Sequence, residues 1–124
     1  MRVITETEDR TITTPVAVMA GLAAPSQGSS EISTWRVRMN ADSTSPVHVI
    51  DREQIWMPVS GTFEFSVDGE TVKVGDGEAI IVPGGSTREF RVGPEAAAAI
   101  VCMPAGGQVA VPGSDAKQPI PWAL

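Results

Sequence analysis

The sequence holds one cysteine, Cys102, one histidine, His48, and only two lysines, Lys73 and Lys117. A single cysteine excludes an intramolecular disulfide framework and a cysteine-rich zinc site. Lys and Arg together number 9 against 15 acidic residues, a formal charge of −6 with no basic run. That balance argues against nucleic acid or an anionic membrane surface as a partner. No apolar stretch approaches the roughly 20 residues that span a bilayer. The opening MRVITETEDR is too acidic and too poor in apolar residues to read as a signal peptide. The expectation is a soluble, cytoplasmic protein. No serine elbow, dinucleotide fingerprint or phosphate loop is present, and Gly84-Gly85-Ser86-Thr87 lacks the lysine a phosphate loop needs.

What is present is turn-forming. Twelve glycines and ten prolines in 124 residues leave little room for long helices and predict an all-β fold in one domain, 1–124. Alternation marks the strands. Thr13–Met19 is a short apolar candidate, and Gly21–Ser30 is a loop. Across 31–40, Trp35, Val37 and Met39 share one face, with Arg36, Arg38 and Asn40 on the other. Pro46–Ile50 and Gln54–Ser60 follow, then Phe63, Phe65 and Val67 alternate up to Asp68-Gly69, a strong two-residue hairpin signal. Further strands are expected around Val72–Val74, at Glu78–Val82 and at Arg88–Val92. Pro94-Glu95 before four alanines is also a helix start, but the Gly-Pro flanks favour a strand over Ala97–Met103. Pro58 cannot donate to a ladder, so it implies an edge or a bulge. The Pro- and Gly-rich tail, 105–124, reads as a segment laid over the surface and anchored by Trp122. An N-terminal arm, 1–30, then precedes a barrel core over about 31–104.

Two stretches read together. Pro46-Val-His48-Val-Ile50-Asp-Arg-Glu-Gln54 runs on to Gly61, and Gly77 runs through Pro83-Gly-Gly85 to Arg88. Their glycine and proline spacing resembles the cupin superfamily, whose two motifs are H-x-H-x(3,4)-E-x6-G and G-x5-P-x-G-x2-H. The resemblance implies a double-sheet jelly-roll barrel, mostly antiparallel. It also implies that the four metal-ligand positions are His48, Ile50, Gln54 and Arg88. Only His48 keeps the family's residue type. Isoleucine offers no donor, Gln54 only a neutral oxygen, and Arg88 is a cation, whereas a divalent ion needs three or four donors. The expectation is therefore a barrel with no metal and no other cofactor, unless a register shift turns Asp51 or Glu53 inward.

The same positions suggest a binding site. His48 is the candidate acid–base or ligand-contacting residue, its reference pKa near 6.5 suiting proton transfer. Arg88, if inward, needs an anionic partner: a ligand carboxylate or phosphate, or Glu53 or Glu64. Gln54 is the third polar candidate, and Trp56 and Phe90, with Trp35, are candidate pocket walls. Cys102 reads as buried and inert.

Three functions stay open. The first is a metal-independent cupin that binds a small anionic or aromatic organic molecule. The run from Val59 to Gly69, VSGTFEFSVDG, is similar to the sugar-sensing barrels of arabinose-regulator-type transcription factors. The second is an isomerase, cyclase or lyase with His48 as base and Arg88 as anion stabiliser. The third is a metal-dependent oxygenase, isomerase or decarboxylase. A homodimer is expected, with the N-terminal segment adding a strand to a partner.

Overall fold

The computed structural model describes all 124 residues. Twelve strands form two antiparallel six-stranded sheets, with no α-helix. The strands are β1 (Thr11–Thr13), β2 (Ala17–Gly21), β3 (Ile32–Met39), β4 (His48–Ile50), β5 (Gln54–Ser60) and β6 (Thr62–Val67). They continue as β7 (Glu70–Gly75), β8 (Ile80–Val82), β9 (Thr87–Val92), β10 (Ala97–Pro104), β11 (Gln108–Ala110) and β12 (Gln118–Pro119). One sheet runs β1-β2-β3-β10-β5-β8 and the other β12-β11-β4-β9-β6-β7. The all-β class expected from the turn residues, and the mostly antiparallel jelly-roll that the resemblance implies, are observed. No helix is long and apolar enough to cross a membrane.

Alternation sets which side chains face the space between the sheets. Along β10, Ala97, Ala99, Val101 and Met103 are buried while the intervening residues are not. Trp35, Val37 and Met39 do the same on β3, and Phe63 and Phe65 on β6. The helix alternative at Pro94-Glu95 loses to this pattern, because β10 lies between β3 and β5 and pairs with both. Asp68 and Gly69 both take positive φ, 48° and 84°, the conformation a two-residue hairpin turn requires. Asp68 Oδ1 also accepts the Thr87 N–H at 2.8 Å, tying the turn to β9. Gly61 has φ 68°, and a Cβ there would lie 2.7 Å from the Ala96 carbonyl oxygen. Of the edge or bulge expected at Pro58, the bulge is present: Ala99 pairs with Pro58 but Ala98 with Ser60, so Val59 is extra.

Three regions differ from expectation. Thr13–Met19 is not one strand but the turn of a hairpin. Pro15 has no N–H to offer, and Thr14 Oγ1 accepts the Val16 and Ala17 N–H groups at 3.3 and 3.1 Å, reversing the chain. The N-terminal strands also lie within the chain's own sheet, β2 against β3. The tail does not simply drape the surface. β11 pairs with β4 and β12 with β11, and a 3₁₀ turn, Pro121–Ala123, closes the chain. Burial of Ile120 and Ala123 drives this, and Ser33 Oγ donates to the Ala123 carbonyl at 2.6 Å. The two sheets thus reach beyond 31–104 at both ends.

Candidate functional site

The space between the sheets is divided. On the β5–β8 and β6–β7 side it is filled by Phe63, Phe65, Val74, Val82 and Val92. On the β2–β3 and β11–β4 side lies a cavity of about 900 Å³, in which 16 of the 26 lining residues are hydrophobic. A volume of that order suits a small organic ligand with a few convergent polar groups.

The structure places His48, Gln54, Trp56 and Phe90 on this wall, and Trp35 with them. Trp56 and Phe90 are 4.6 Å apart between ring centroids, and His48 meets Phe90 edge-on at 5.4 Å. Trp56 in turn packs edge-on against Phe63 and Phe65 of the filled side, at 5.7 and 5.2 Å. The cavity's aromatic wall is therefore braced from behind by the core.

His48 Nδ1 lies 2.8 Å from the Pro46 carbonyl. A carbonyl can only accept, so Nδ1 carries the proton and Nε2 presents a lone pair. Burial holds the His48 pKa below its ordinary value. The bond to Pro46 opposes that shift, and the charge of Arg88 adds to it. The imidazole is therefore a neutral hydrogen-bond acceptor at pH 7.

Arg88, whose direction the sequence left open, points inward and is only 1 % exposed. It sits opposite His48 in the β4–β9 register. Its partners are not the anions expected of it. Nη1 donates to Gln54 Oε1 at 3.1 Å, while Nη2 donates to the Pro83 carbonyl at 2.7 Å and Ser86 Oγ at 3.1 Å. The buried Nε–H has no acceptor. Glu64 instead pairs with Arg91, and Glu53 is exposed. Three neutral oxygens satisfy most of the guanidinium, and burial lowers its pKa to about 10, still a cation at pH 7. Arg88 is not among the residues lining the cavity: Gln54 is on the wall, with Arg88 hydrogen-bonded to it. A ligand anion held directly on the Arg88 fork is thus not what this geometry presents. Gln54 Oε1 accepts a second bond, from Trp56 Nε1, at 3.1 Å.

The four motif positions do converge, but their donors do not suit a metal. Ile50 is buried hydrocarbon on the wall, Gln54 Oε1 is already engaged by two N–H groups, and Arg88 would repel a cation. No register shift rescues the set. Ile50 takes the inward place, and Asp51 accepts the Gln108 N–H at 2.7 Å and Lys117 Nζ at 3.3 Å. No three His, Cys, Asp or Glu side chains stand together where they could hold an ion.

The remaining walls come from segments the motif reading left aside. Thr14, Pro15 and Val16 of the first hairpin close one part, and Val109, Val111 and Trp122 of the tail another. The alternation of Val109 with Val111 and the lone Trp122 were the signals available for them. Cys102 is only partly buried, and that burial raises its thiol pKa, which keeps it protonated.

Residues 35–104 match the family model described as "Cupin domain". No curated protein sequence matches the chain. Among solved structures, the polyketide cyclase RemF from Streptomyces resistomycificus is similar with a TM-score of 0.74 and 20% identity, over 86% of this chain and 81% of that one. The EutQ protein of Clostridium difficile is similar with a TM-score of 0.65 and 24% identity, over 82% of each chain. Oxalate decarboxylase of Bacillus subtilis is similar with a TM-score of 0.74 and 12% identity, over 85% of this chain but 30% of that one. These likenesses concern the fold. The family match spans more than half of the sequence, and within it fall Gly61, Gly77, Pro83 and Gly85, the turn residues between the strands that carry His48, Gln54 and Arg88: the chain belongs to the cupin family.

Proposed function

We propose that this cupin barrel binds a small organic molecule with an aromatic or otherwise apolar body and a weakly acidic hydroxyl, without a metal. The observation that carries the reading is the His48 Nε2 acceptor on the wall of a largely apolar cavity of about 900 Å³. Trp35, Trp56 and Phe90 take the apolar body. The hydroxyl donates to His48, and the charge of Arg88 behind Gln54, offset in part by the Asp68 carboxylate, favours negative charge developing on that oxygen. The anionic character expected of the ligand thus acts through the field of Arg88 rather than through a direct fork.

Quenching of tryptophan fluorescence by 2-naphthol and by naphthalene tests this. The wild-type protein should prefer 2-naphthol by about fivefold, the size of one modest net hydrogen bond, and His48→Ala should erase the preference. Equal affinity for the two probes in wild-type protein contradicts the reading.

The neutral His48, with Nδ1 anchored on Pro46, also favours a catalytic version. There Nε2 removes a proton from a carbon beside a ketone, the C–H electrons move to form the enolate, and His48 returns the proton at the new position. The structural neighbour RemF is a polyketide cyclase. Deuterium incorporation into 2-tetralone in D₂O, followed by NMR, should be accelerated by wild-type protein and not by His48→Ala. Equal rates with both proteins leave binding alone.

A further inference from the structure

The outward faces of the two sheets differ in kind. Outside the β6–β9–β7 sheet, Glu64 stands between Lys73 and Arg91, and Ser66 between Thr71 and Glu89. That is the polar exterior of an antiparallel sheet facing water. Outside the other sheet, Ile55 stands between Cys102 and Ile81, and Met57 beside Ile100. Alternation fixes their direction: Gln54, Trp56, Val82, Ala99 and Val101 are the buried neighbours that turn inward. None of the outward residues of β5, β8 and β10 is charged, and Ile81 is 63 % exposed. A contiguous apolar face of this kind marks contact with another molecule.

The charges lie at the margins of that face and differ in sign. On the β3 side, Arg36 and Arg38 share one carboxylate, Glu6, at 2.7 and 3.1 Å, which leaves one positive charge over. On the β8 side, Asp76 and Glu78 are exposed in the turn that enters the strand. The registers bring the two margins to one level. Arg36 lies in the row of Ile100 and Met57, and Glu78 comes two residues before Ile80, the partner of Trp56. A half-turn about an axis between β10 and β5, parallel to both, lays β3 of one copy over β8 of the other. Ile100 of each copy then meets Met57 of the other, and Arg36 and Arg38 of each face Glu78 of the other. Such a self-complementary pattern is what a two-fold contact requires. We propose that the outer face of β10, β5 and β8 is the surface on which a second copy of this chain docks, about that axis. The homodimer expected from the sequence thus uses this face and not an added N-terminal strand, because β1 and β2 are paired inside the chain's own sheet.

Light scattering during size exclusion tests this, at tens of micromolar protein and ~0.15 M salt, where charge beyond about 8 Å is screened. Wild-type protein should run at twice its 13.0 kDa. Ile100→Glu should raise the dimer dissociation constant at least about hundredfold, since each substitution enters a two-fold interface twice. The resulting monomer should keep the wild-type circular dichroism. Should Ile100→Glu fail to fold, Ile81→Glu at the exposed edge serves the same purpose. Ser66→Glu, on the polar outer face, should leave the dimer intact. The axis is tested by exchanging charge. Glu78→Arg should weaken the dimer about fivefold, and adding Arg38→Glu should restore it. A monomeric wild-type protein would mean that this face serves some other partner, and overturns the proposal. So does a dimer that survives both isoleucine substitutions, or one that Ser66→Glu breaks as readily. Absence of rescue in the Glu78→Arg, Arg38→Glu double variant overturns the two-fold arrangement and the proposal with it.

Discussion

The two halves of the barrel interior are built from the same alternating strands and end in opposite states. On the β6–β7 side, Phe63, Phe65, Val74 and Val82 meet across the sheets, all nearly inaccessible. On the β2–β3 side, Trp35, Val37 and Met39 are just as inward, yet they face the cavity. The difference lies in what stands opposite. β6 brings two phenylalanines to the middle of the filled half, whereas across the cavity the short β4 and β11 bring His48, Ile50 and Val109. Sidedness is thus common to both halves, while side-chain volume and strand length decide which of them packs and which one can take a ligand.

The largest expected effect that tests this contrast is in the filled half. Phe65→Ala removes a ring packed against Trp56, Phe63 and Phe90, and should destabilise by about 3–5 kcal/mol. Met39→Ala at the cavity wall removes a side chain that already lacks packing on one side. Its loss should sit near the low end for such truncations, about 2 kcal/mol. Urea unfolding of both variants checks the ranking, and equal losses would remove the distinction between the halves.

A milder effect runs in the other sense. Ala99 is fully buried on β10, away from the cavity, so Ala99→Leu forces extra carbons into a packed site at a cost of about 1–3 kcal/mol. Ala110 lines the cavity, where there is room, so Ala110→Leu should be close to neutral by thermal unfolding. The same variant should weaken binding of 2-naphthol, because the added side chain occupies ligand space. A strongly destabilised Ala110→Leu would show that the cavity half is packed more tightly than its geometry indicates.

The filled half was the more legible one in the sequence. Phe63-Glu64-Phe65 before Asp68-Gly69 states a two-sided strand and its turn within eight residues, and local chemistry decides both. The bulge at Pro58 was legible for the same reason, since a missing N–H is a local fact. The cavity half depends on distant pairings. β11 against β4 and the Thr14 turn against the barrel are decided by where the chain returns, which alternation alone does not say. Arg88 shows the boundary most clearly. Alternation put it on one face with Phe90 but left open whether that face turns inward. Of its partners, Ser86 and Pro83 lie two and five residues away at the β8–β9 turn, whereas Gln54 meets it only once β5 and β9 are brought together in the closed barrel. A buried cation was expected to demand an anion, and three neutral oxygens meet most of that demand instead.

The smallest expected effect is at His48, where the two halves meet through Phe90. Burial holds its folded pKa below the ordinary 6.5. As pH falls through that window the unfolded chain binds a proton that the folded chain refuses, so unfolding becomes easier. The stabilising term is fully present above pH 6.5 and is lost as pH drops toward the folded value. His48 is the chain's only histidine, so no other imidazole contributes there. Glu6 and Asp51, also held below their ordinary values of 4.5 and 3.8, add losses of the same sign, but only at lower pH. Wild-type urea midpoints should therefore fall in two steps between pH 7.5 and pH 3, the upper one belonging to His48. His48→Gln should lack the upper step and keep the lower. Saturating 2-naphthol should deepen the upper step in wild-type protein, because a ligand that donates to Nε2 binds only the neutral ring and pushes the folded pKa lower still. An upper step that survives in His48→Gln would mean that another group titrates there, and that the neutral imidazole facing the cavity is not what holds this end of the barrel.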